Sequence, residues 1–228
     1  MVTNVRAVIF DMDGIIFDSE KLLVEFWCRA ANELGFPMKR EHALNLRSLA
    51  RKFAEPYLKQ EFGAAFDYTT VRARRMELMA QYLDQHPLET KPGLSELLDY
   101  LDRENIPAAI ATATDIKRAS EYLKRAGVLD RFGRIVCASM VESGKPKPDI
   151  YLYAAAQLGL DPHECIALED SPNGVRSAAS AGCITIMVPD LTQPDKELSG
   201  LIYAKANSLA DVPAVIGSIK QQTIYGEP

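Results

Sequence analysis

The sequence predicts an α/β protein, a parallel sheet between two layers of helices, with an inserted, all-helical cap domain. Three observations predict this fold class. From residue 91 onward, short apolar segments alternate with helical segments, as in parallel strands joined by crossover helices. An earlier apolar run, Ala7-Val8-Ile9-Phe10, stands near the N-terminus. Between this run and residue 90 the chain has helical character and no convincing strand.

The order of the segments predicts a discontinuous core domain. A first strand is expected over Val5–Phe10, because an unbroken apolar run is typical of a strand covered on both faces. The first strand belongs with the later ones, so the core would comprise residues 1–15 and 91–228, and the cap residues 16–90. The cap would then emerge beside the carboxyl ends of the strands, where open α/β sheets bind ligands. Further strands are expected over 108–111, 134–137, 165–168 and 184–188, and helices over 94–101, 116–126, 149–158 and 172–181.

Composition excludes several classes of protein. The 228 residues are 47% apolar and 25% charged, which is typical of a soluble globular protein. The net charge of −5 argues against nucleic acid as the main partner. No apolar segment is long enough to span a membrane and no signal peptide is recognisable, so we expect no membrane partner and a cytoplasmic location. The four cysteines are widely spaced, which argues against zinc and suits a reducing compartment. No extended apolar helix face is left over, so a monomer is expected.

Two carboxylates directly follow the first predicted strand. Asp11 and Asp13 are two residues apart, and Gly14 comes next. In an extended segment, residues i and i+2 point to the same side. Two negative charges held close together need a cation or a proton. The arrangement therefore predicts a site for a hard divalent cation such as Mg²⁺, with one carboxylate available as a nucleophile.

Polar side chains also follow the later strands. Thr112 and Thr114 follow the second strand, Lys145 lies in a glycine- and proline-rich loop, and Glu169-Asp170-Ser171 follows the strand that ends at Leu168. The carboxyl ends of parallel strands meet in one crevice, so these groups are expected to converge there. Carboxylates for a metal, a hydroxyl and an ammonium are the groups that phosphoryl transfer requires.

Each cluster taken alone has an ordinary structural explanation. Asp-x-Asp-Gly is also a turn sequence, and Thr112 is also typical of a strand end or a helix N-cap. Lys145 would ordinarily be a solvated loop lysine. The run from Glu169 to Pro172 is also a good helix start, acidic in the first turn and with proline at the first helical position. The functional interpretation rests on the four clusters occurring together and in order.

Four motifs give the sequence a family resemblance over nearly its whole length. They are Asp11–Glu20, Ala111–Thr114, Lys145–Tyr151 and Glu169–Gly174. With them the chain resembles the haloacid dehalogenase superfamily, in the group that includes β-phosphoglucomutase and small phosphosugar phosphatases. The resemblance implies a Rossmann-like core, three-layer α/β/α, under a helical cap.

The resemblance also implies roles for individual residues. Asp11 would be the nucleophile that takes the phosphoryl group as an aspartyl-phosphate. Asp13 would protonate the leaving oxygen and later activate water, which calls for a raised pKa. Thr112 and Lys145 would act in catalysis by binding the transferring phosphate, together with Ala113.

The cofactor implied is Mg²⁺. It would be held by the Asp11 carboxylate, the Asp13 backbone carbonyl and Asp170, with Glu169 binding directly or through water. In the cap, Arg51 would bind the sugar or a second phosphate, although a surface arginine is the competing interpretation. Arg72, Arg74 and Arg75 are expected to form a solvated helix face.

Three functions follow from this resemblance. The first is a Mg²⁺-dependent phosphomonoester hydrolase acting on a small phosphorylated metabolite, for instance a sugar phosphate. The second is a β-phosphoglucomutase-like isomerase. Such mutases carry a cap histidine four residues beyond the position of Ser19, and here that position is Leu23, which counts against a mutase. The third is a non-catalytic binding protein on the same fold. It predicts a lost nucleophile or acid, yet both aspartates are present.

Overall fold

Six parallel strands form one sheet at the centre of the molecule. The computed structural model describes residues 5–225. The strands are β1 (Ala7–Phe10), β2 (Ala108–Thr112), β3 (Arg134–Cys137), β4 (Cys165–Glu169), β5 (Ile184–Met187) and β6 (Ala204–Lys205). The order across the sheet is β3-β2-β1-β4-β5-β6, so the N-terminal strand lies between its neighbours β2 and β4.

Helices cover both faces of the sheet, which confirms the predicted three-layer α/β/α class. On one face, large side chains such as Phe10 and Ile110 pack against α5, α6 and α10. On the other face, small residues such as Ala109 and Ala167 allow α7 and α8 to lie close to the strands. The helices of this region are α5 (Leu94–Arg103), α6 (Ile116–Arg125), α7 (Asp149–Gln157), α8 (Pro172–Ala181), α9 (Lys196–Ser199) and α10 (Val212–Tyr225).

The predicted elements of the sheet domain recur with small shifts, but one strand and two α-helices of this domain were not predicted. The first strand begins at Ala7 rather than Val5, and the fifth ends at Met187 rather than Val188. β6 was missed because it is a two-residue edge strand with no apolar run. α9 and α10 were missed as well, although Ile216 of α10 is buried in the core.

Four helices between β1 and α5 have a hydrophobic core of their own. They are α1 (Glu20–Glu33), α2 (Arg40–Leu44), α3 (Arg51–Phe62) and α4 (Tyr68–Leu83). Trp27 of α1 contacts Tyr68 of α4, and Leu58 and Val71 are fully buried in the same cluster. We retain residues 16–90 as the proposed cap domain, inserted into a core of residues 1–15 and 91–228.

The two chain segments that join these helices to the sheet domain are hydrogen-bonded to each other. Phe17 and Thr90 form an antiparallel bridge. The N–H of Lys91 donates to the carbonyl of Ile16 at 2.8 Å, and the N–H of Asp18 donates to the carbonyl of Glu89 at 2.9 Å. Both connections therefore lie just beyond the carboxyl end of β1, next to the aspartates at 11 and 13.

Candidate active site

Lys145 joins the ends of three strands at the centre of the site. Its side chain is 1% exposed, and its Nζ lies 2.6 Å from both Asp11 Oδ1 and Glu169 Oε1. It also donates a hydrogen bond to the carbonyl of Ala111 at 2.9 Å. Burial acts to lower the pKa of the ammonium, but the charges of Asp11 and Glu169 outweigh it and raise the pKa. The lysine is therefore held as a buried cation between two carboxylates.

Three carboxylates at this point lie close enough together that they could hold a metal ion. Asp11, Glu169 and Asp170 are buried, and each offers an oxygen within 4.8 Å of the others. Within the described residues, Glu169 Oε2 and Asp170 Oδ1 have no hydrogen-bond partner, although buried polar atoms normally have one. Unpartnered hard oxygen donors of this kind fit Mg²⁺.

The charges of the cluster favour a cation as well. Burial raises the pKa of Glu169 to about 7, although Lys145 acts to lower it. Burial also raises the pKa of Asp170. The charge of Arg47 opposes this effect, whereas the charges of Asp11 and Glu169 add to it. A divalent ion would offset the cost of burying these negative charges because it stabilises the charged form of every carboxylate it contacts.

Asp13 is held by two hydroxyl groups. Ser19 Oγ donates to Asp13 Oδ1 at 2.6 Å, and Thr114 Oγ1 donates to Asp13 Oδ2 at 2.9 Å. Burial raises the pKa of Asp13, and the negative charge of Asp11 adds to this effect, whereas the Ser19 hydrogen bond opposes it. A raised pKa favours the protonated form that a general acid needs.

The end of β2 contributes one buried and two accessible residues. Thr112 is fully buried, and its Oγ1 accepts a hydrogen bond from the N–H of Thr114 at 3.0 Å. Ala113 and Thr114 line the cleft between the helical segment and the sheet domain. The phosphate-binding roles of Thr112, Ala113 and Lys145 remain predictions. The structure places the three residues close together, since Lys145 donates to the carbonyl of Ala111.

The segment between α2 and α3 reaches directly into the site. Arg47 is 3% exposed, and its Nη1 lies 3.3 Å from Asp170 Oδ2 while its Nη2 donates to Thr192 Oγ1 at 2.9 Å. Ser48 Oγ donates to Asp11 Oδ2 at 3.2 Å. Ser48 has a φ of +54°, which is rare for a residue with a side chain and often marks a functional position.

The arginines of the helical segment do not lie as predicted. Arg51 is exposed, paired with Glu55 and hydrogen-bonded to Thr69, and it does not line the cleft. The structure therefore does not bring it to the other site residues. Arg75 was expected to be solvated, and this is wrong: it is 7% exposed and lines the cleft. We expected a solvated side chain because most arginines are exposed. Arg75 is buried instead because α4 packs beside the site.

Sequence reasoning missed several of these residues. Glu20 is buried in the cleft with Oε2 unpartnered, and burial and Asp170 raise its pKa well above the usual value. Its position at the end of the first motif was a signal, but an acidic residue at a helix start has an ordinary explanation. Arg47 and Ser48 stand in no motif, and only the folded chain places them beside Asp170 and Asp11.

Two glycines allow the carboxylates to approach the backbone closely. A Cβ on Gly14, whose φ is +84°, would lie 2.5 Å from Asp170 Oδ2. A Cβ on Gly174 would lie 1.9 Å from Glu169 Oε2. The acidic cluster therefore leaves no room for a Cβ in the sharp turn after Asp13 or at the start of α8, and both positions require glycine.

Replacement of Gly174 by alanine is expected to destabilise the protein by about 1–3 kcal/mol, because the methyl group displaces the Glu169 carboxylate. Urea unfolding measures the change. Gly217→Ala is the matched control, since nothing lies within 4 Å of a Cβ there and the residue is in a helix. Equal stability of the Gly174→Ala and Gly217→Ala proteins would contradict the packing described for Glu169.

The fold and the buried acidic cluster are those of a phosphatase-type enzyme, and comparisons with known proteins identify the family. The family model of haloacid dehalogenase-like hydrolases matches residues 5–182, and the chain belongs to this family. A β-phosphoglucomutase of Bacillus subtilis is 32% identical over 191 residues, which are 80% of this chain and 83% of that protein. Hexitol phosphatase A of Escherichia coli is 31% identical over 227 residues, 98% of this chain and 95% of that protein.

A solved structure shows the same likeness. The crystal structure of CbbY from Rhodobacter sphaeroides in complex with phosphate has a TM-score of 0.76 and 25% identity, and the match covers 91% of this chain and 96% of that one. The mutase and the phosphatase among the relatives confirm the group that the four motifs indicated.

The helices that the structure describes, within residues 5–225, include none with the length and hydropathy of a membrane span.

Proposed function

We propose that the protein is a Mg²⁺-dependent phosphomonoester hydrolase that acts on a small phosphorylated metabolite, such as a sugar phosphate, through an aspartyl-phosphate. The observation that carries this proposal is the position of Asp11. Its carboxylate contacts Lys145 at 2.6 Å and lies within 4.8 Å of oxygens of Glu169 and Asp170. A positioned carboxylate beside a buried cation and a metal site suits a nucleophile for phosphoryl transfer.

The reaction has two steps. In the first, an oxygen of Asp11 attacks the phosphorus, and the bond from phosphorus to the leaving oxygen breaks as protonated Asp13 gives that oxygen its proton. In the second, Asp13 takes a proton from water, the water oxygen attacks the phosphorus, and the bond to Asp11 breaks. Lys145, Thr112 and the backbone at Ala113 would hold the other phosphate oxygens throughout.

The proposed metal ligands are the carboxylates of Asp11 and Asp170 and the backbone carbonyl of Asp13, with Glu169 direct or through water. When bound, Mg²⁺ would neutralise charge on the phosphate oxygens. The orphaned oxygens of Glu169 and Asp170 support this assignment. Both carboxyl oxygens of Asp13 accept from hydroxyl groups, which agrees with its binding the metal through the backbone rather than the side chain.

Phosphate release from a panel of phosphorylated metabolites tests the proposal. We expect turnover with Mg²⁺, loss of turnover after chelation, and recovery when Mg²⁺ returns. Mg²⁺ alone should also raise the unfolding midpoint, because it binds the native state preferentially. Asp170→Asn should reduce both effects, whereas Asp99→Asn, on the exposed face of α5, should not. Turnover that is indifferent to chelation, or an Asp170→Asn protein with unchanged Mg²⁺ response, would contradict the metal assignment.

The mutase remains the second candidate because a β-phosphoglucomutase is among the relatives. Leu23 lines the cleft, so an apolar side chain faces the position of a sugar intermediate. An isomerised product that requires β-glucose 1,6-bisphosphate would identify a mutase, and free phosphate a hydrolase. A non-catalytic role fits poorly, because both aspartates are in place.

We further propose a monomer that acts in the cytoplasm without nucleic-acid or membrane partners. The net charge of −5 supports the absence of nucleic acid among its partners. Cys28, Cys137, Cys165 and Cys183 are all free thiols, which supports a reducing compartment.

A further inference from the structure

Three arginines line the cleft that contains Asp11 and Asp13. Arg72 and Arg75 lie on α4 and Arg118 on α6, so two parts of the chain contribute them. They stand together with Trp27 and Tyr68 in the wall of the cleft. The guanidinium of Arg75 also lies over the Trp27 ring, 5.4 Å from its centroid.

Only one of the three positive charges in this cluster is paired with a carboxylate in the described part of the chain. Among residues 5–221, Arg72 and Arg75 form no ion pair, whereas Arg74 on the same helix pairs with Glu33 and Glu77. Arg118 pairs with Asp115 at 3.1 Å. Arg75 is 7% exposed and its Nε has no hydrogen-bond partner. Because buried charges are normally paired, this cluster lacks an anion.

The electrostatic environment of Arg75 also indicates that the arginine cluster lacks an anion. Burial lowers the pKa of Arg75 to about 10, and the like charges of Arg72 and Arg118 act in the same direction. The field of Asp13 opposes them, but both oxygens of Asp13 are engaged by Ser19 and Thr114. Asp13 also forms no ion pair with any of the three arginines among residues 5–221, so it does not neutralise the cluster by direct contact.

We infer that the substrate carries a second anionic group, a carboxylate or another phosphate, which Arg72, Arg75 and Arg118 bind while the scissile phosphate lies at Asp11. This inference rests on the proposed function and narrows it to substrates with two anionic groups. Planar guanidinium groups bind carboxylate and phosphate through paired hydrogen bonds, and the desolvated position of Arg75 strengthens such bonds. The second anion would therefore be bound by these three arginines and not by Arg51, for which the family resemblance implied that role.

Two pairs of probes test the inference. The first pair is 3-phosphoglycerate and glycerol 3-phosphate, which differ by a carboxylate. The second is fructose 1,6-bisphosphate and fructose 6-phosphate, which differ by a phosphate. In each pair, the preference is the ratio of kcat/KM for the probe with the extra anion to that for its partner. We expect at least one preference well above unity, and the pair that shows it identifies the anion.

Arg75→Met is expected to lower that preference about ten- to a hundred-fold, the effect of losing charge-assisted hydrogen bonds. Methionine fills a similar volume without a buried charge, so the fold should persist. Arg75→Lys should restore part of the preference. Arg74→Met is the matched control and should leave it unchanged, since Arg74 pairs with Glu33 and Glu77.

The outcomes separate this inference from the proposed hydrolase. Phosphate release with both preferences near unity would overturn the inference and leave the hydrolase standing. Equal losses for both members of a pair in Arg75→Met would also overturn it, because they indicate an effect on Asp13 or on the fold. If no probe is turned over, calorimetric binding of the same pairs to the Asp11→Asn protein decides the inference separately. Tighter binding of the doubly anionic member, lost in Asp11→Asn/Arg75→Met, would support it, and equal binding would overturn it.

Discussion

The Asp11→Asn protein is expected to release phosphate at least about 10⁴-fold more slowly than the wild type, because an amide oxygen is a poor nucleophile toward phosphorus. The fold should persist. Asparagine has the same shape, its oxygen still accepts from Lys145, and removing one of the crowded carboxylates relieves repulsion. Initial rates under saturating Mg²⁺ and circular dichroism measure the two effects.

Asp99→Asn is the control for this substitution. Asp99 lies on the exposed face of α5, outside the four motifs, where it pairs with Arg131 at 2.9 Å. Its replacement should leave the rate within two- to threefold of wild type, since exposed ion pairs contribute about 1 kcal/mol or less. Comparable rates for the Asp11→Asn and Asp99→Asn proteins would refute covalent catalysis by Asp11.

Lys145→Met is expected to destabilise the protein by about 3–5 kcal/mol and to abolish turnover. Its removal leaves Asp11 and Glu169 as buried carboxylates without the cation that each contacts at 2.6 Å. The deficit in unfolding free energy should shrink as the pH is lowered. Lys145 acts to lower the pKa of Glu169, so its removal raises that pKa further, and protonation of Glu169 at falling pH stabilises the variant more than the wild type. Urea unfolding over a pH series measures both effects.

Lys147→Met is the matched control because Lys147 lies in the same loop and is exposed. The structure predicts little change in its stability at any pH. A Lys145→Met protein as stable as Lys147→Met, or one with a deficit independent of pH, would contradict the central position of Lys145 between the carboxylates.

Much of the fold was predictable because local pattern and tertiary environment agree. The apolar runs 7–10 in β1, 108–111 in β2 and 165–168 in β4 are uninterrupted and buried, as central parallel strands should be. The clustering of Asp11, Lys145 and Asp170 was predictable for a related reason. Each follows a strand or lies in a loop at the same edge of one sheet, so topology brings them together.

The contribution of the helical segment was not predictable from local pattern. Arg47 and Arg75 are both buried, although most arginines are exposed. Arg47 lies against Asp170, and Arg75 lies in the wall of the cleft over the Trp27 ring. Ser48 reaches Asp11 only in a backbone conformation that serine rarely adopts. The family resemblance implied a substrate-binding role for Arg51, yet Glu55, four residues along the same helix, pairs with it. These positions depend on how the helices dock, which no short-range spacing records.

Identification of the residue that carries phosphorus tests the central claim most directly. The enzyme is mixed with substrate and Mg²⁺, quenched in acid during turnover, digested, and sequenced by mass spectrometry. We expect one phosphoryl group on the peptide that contains Asp11, attached to that side chain and absent from the Asp11→Asn protein. A phosphoryl group on any other residue would contradict the account, as would turnover with no phosphorylated peptide under conditions that trap such intermediates.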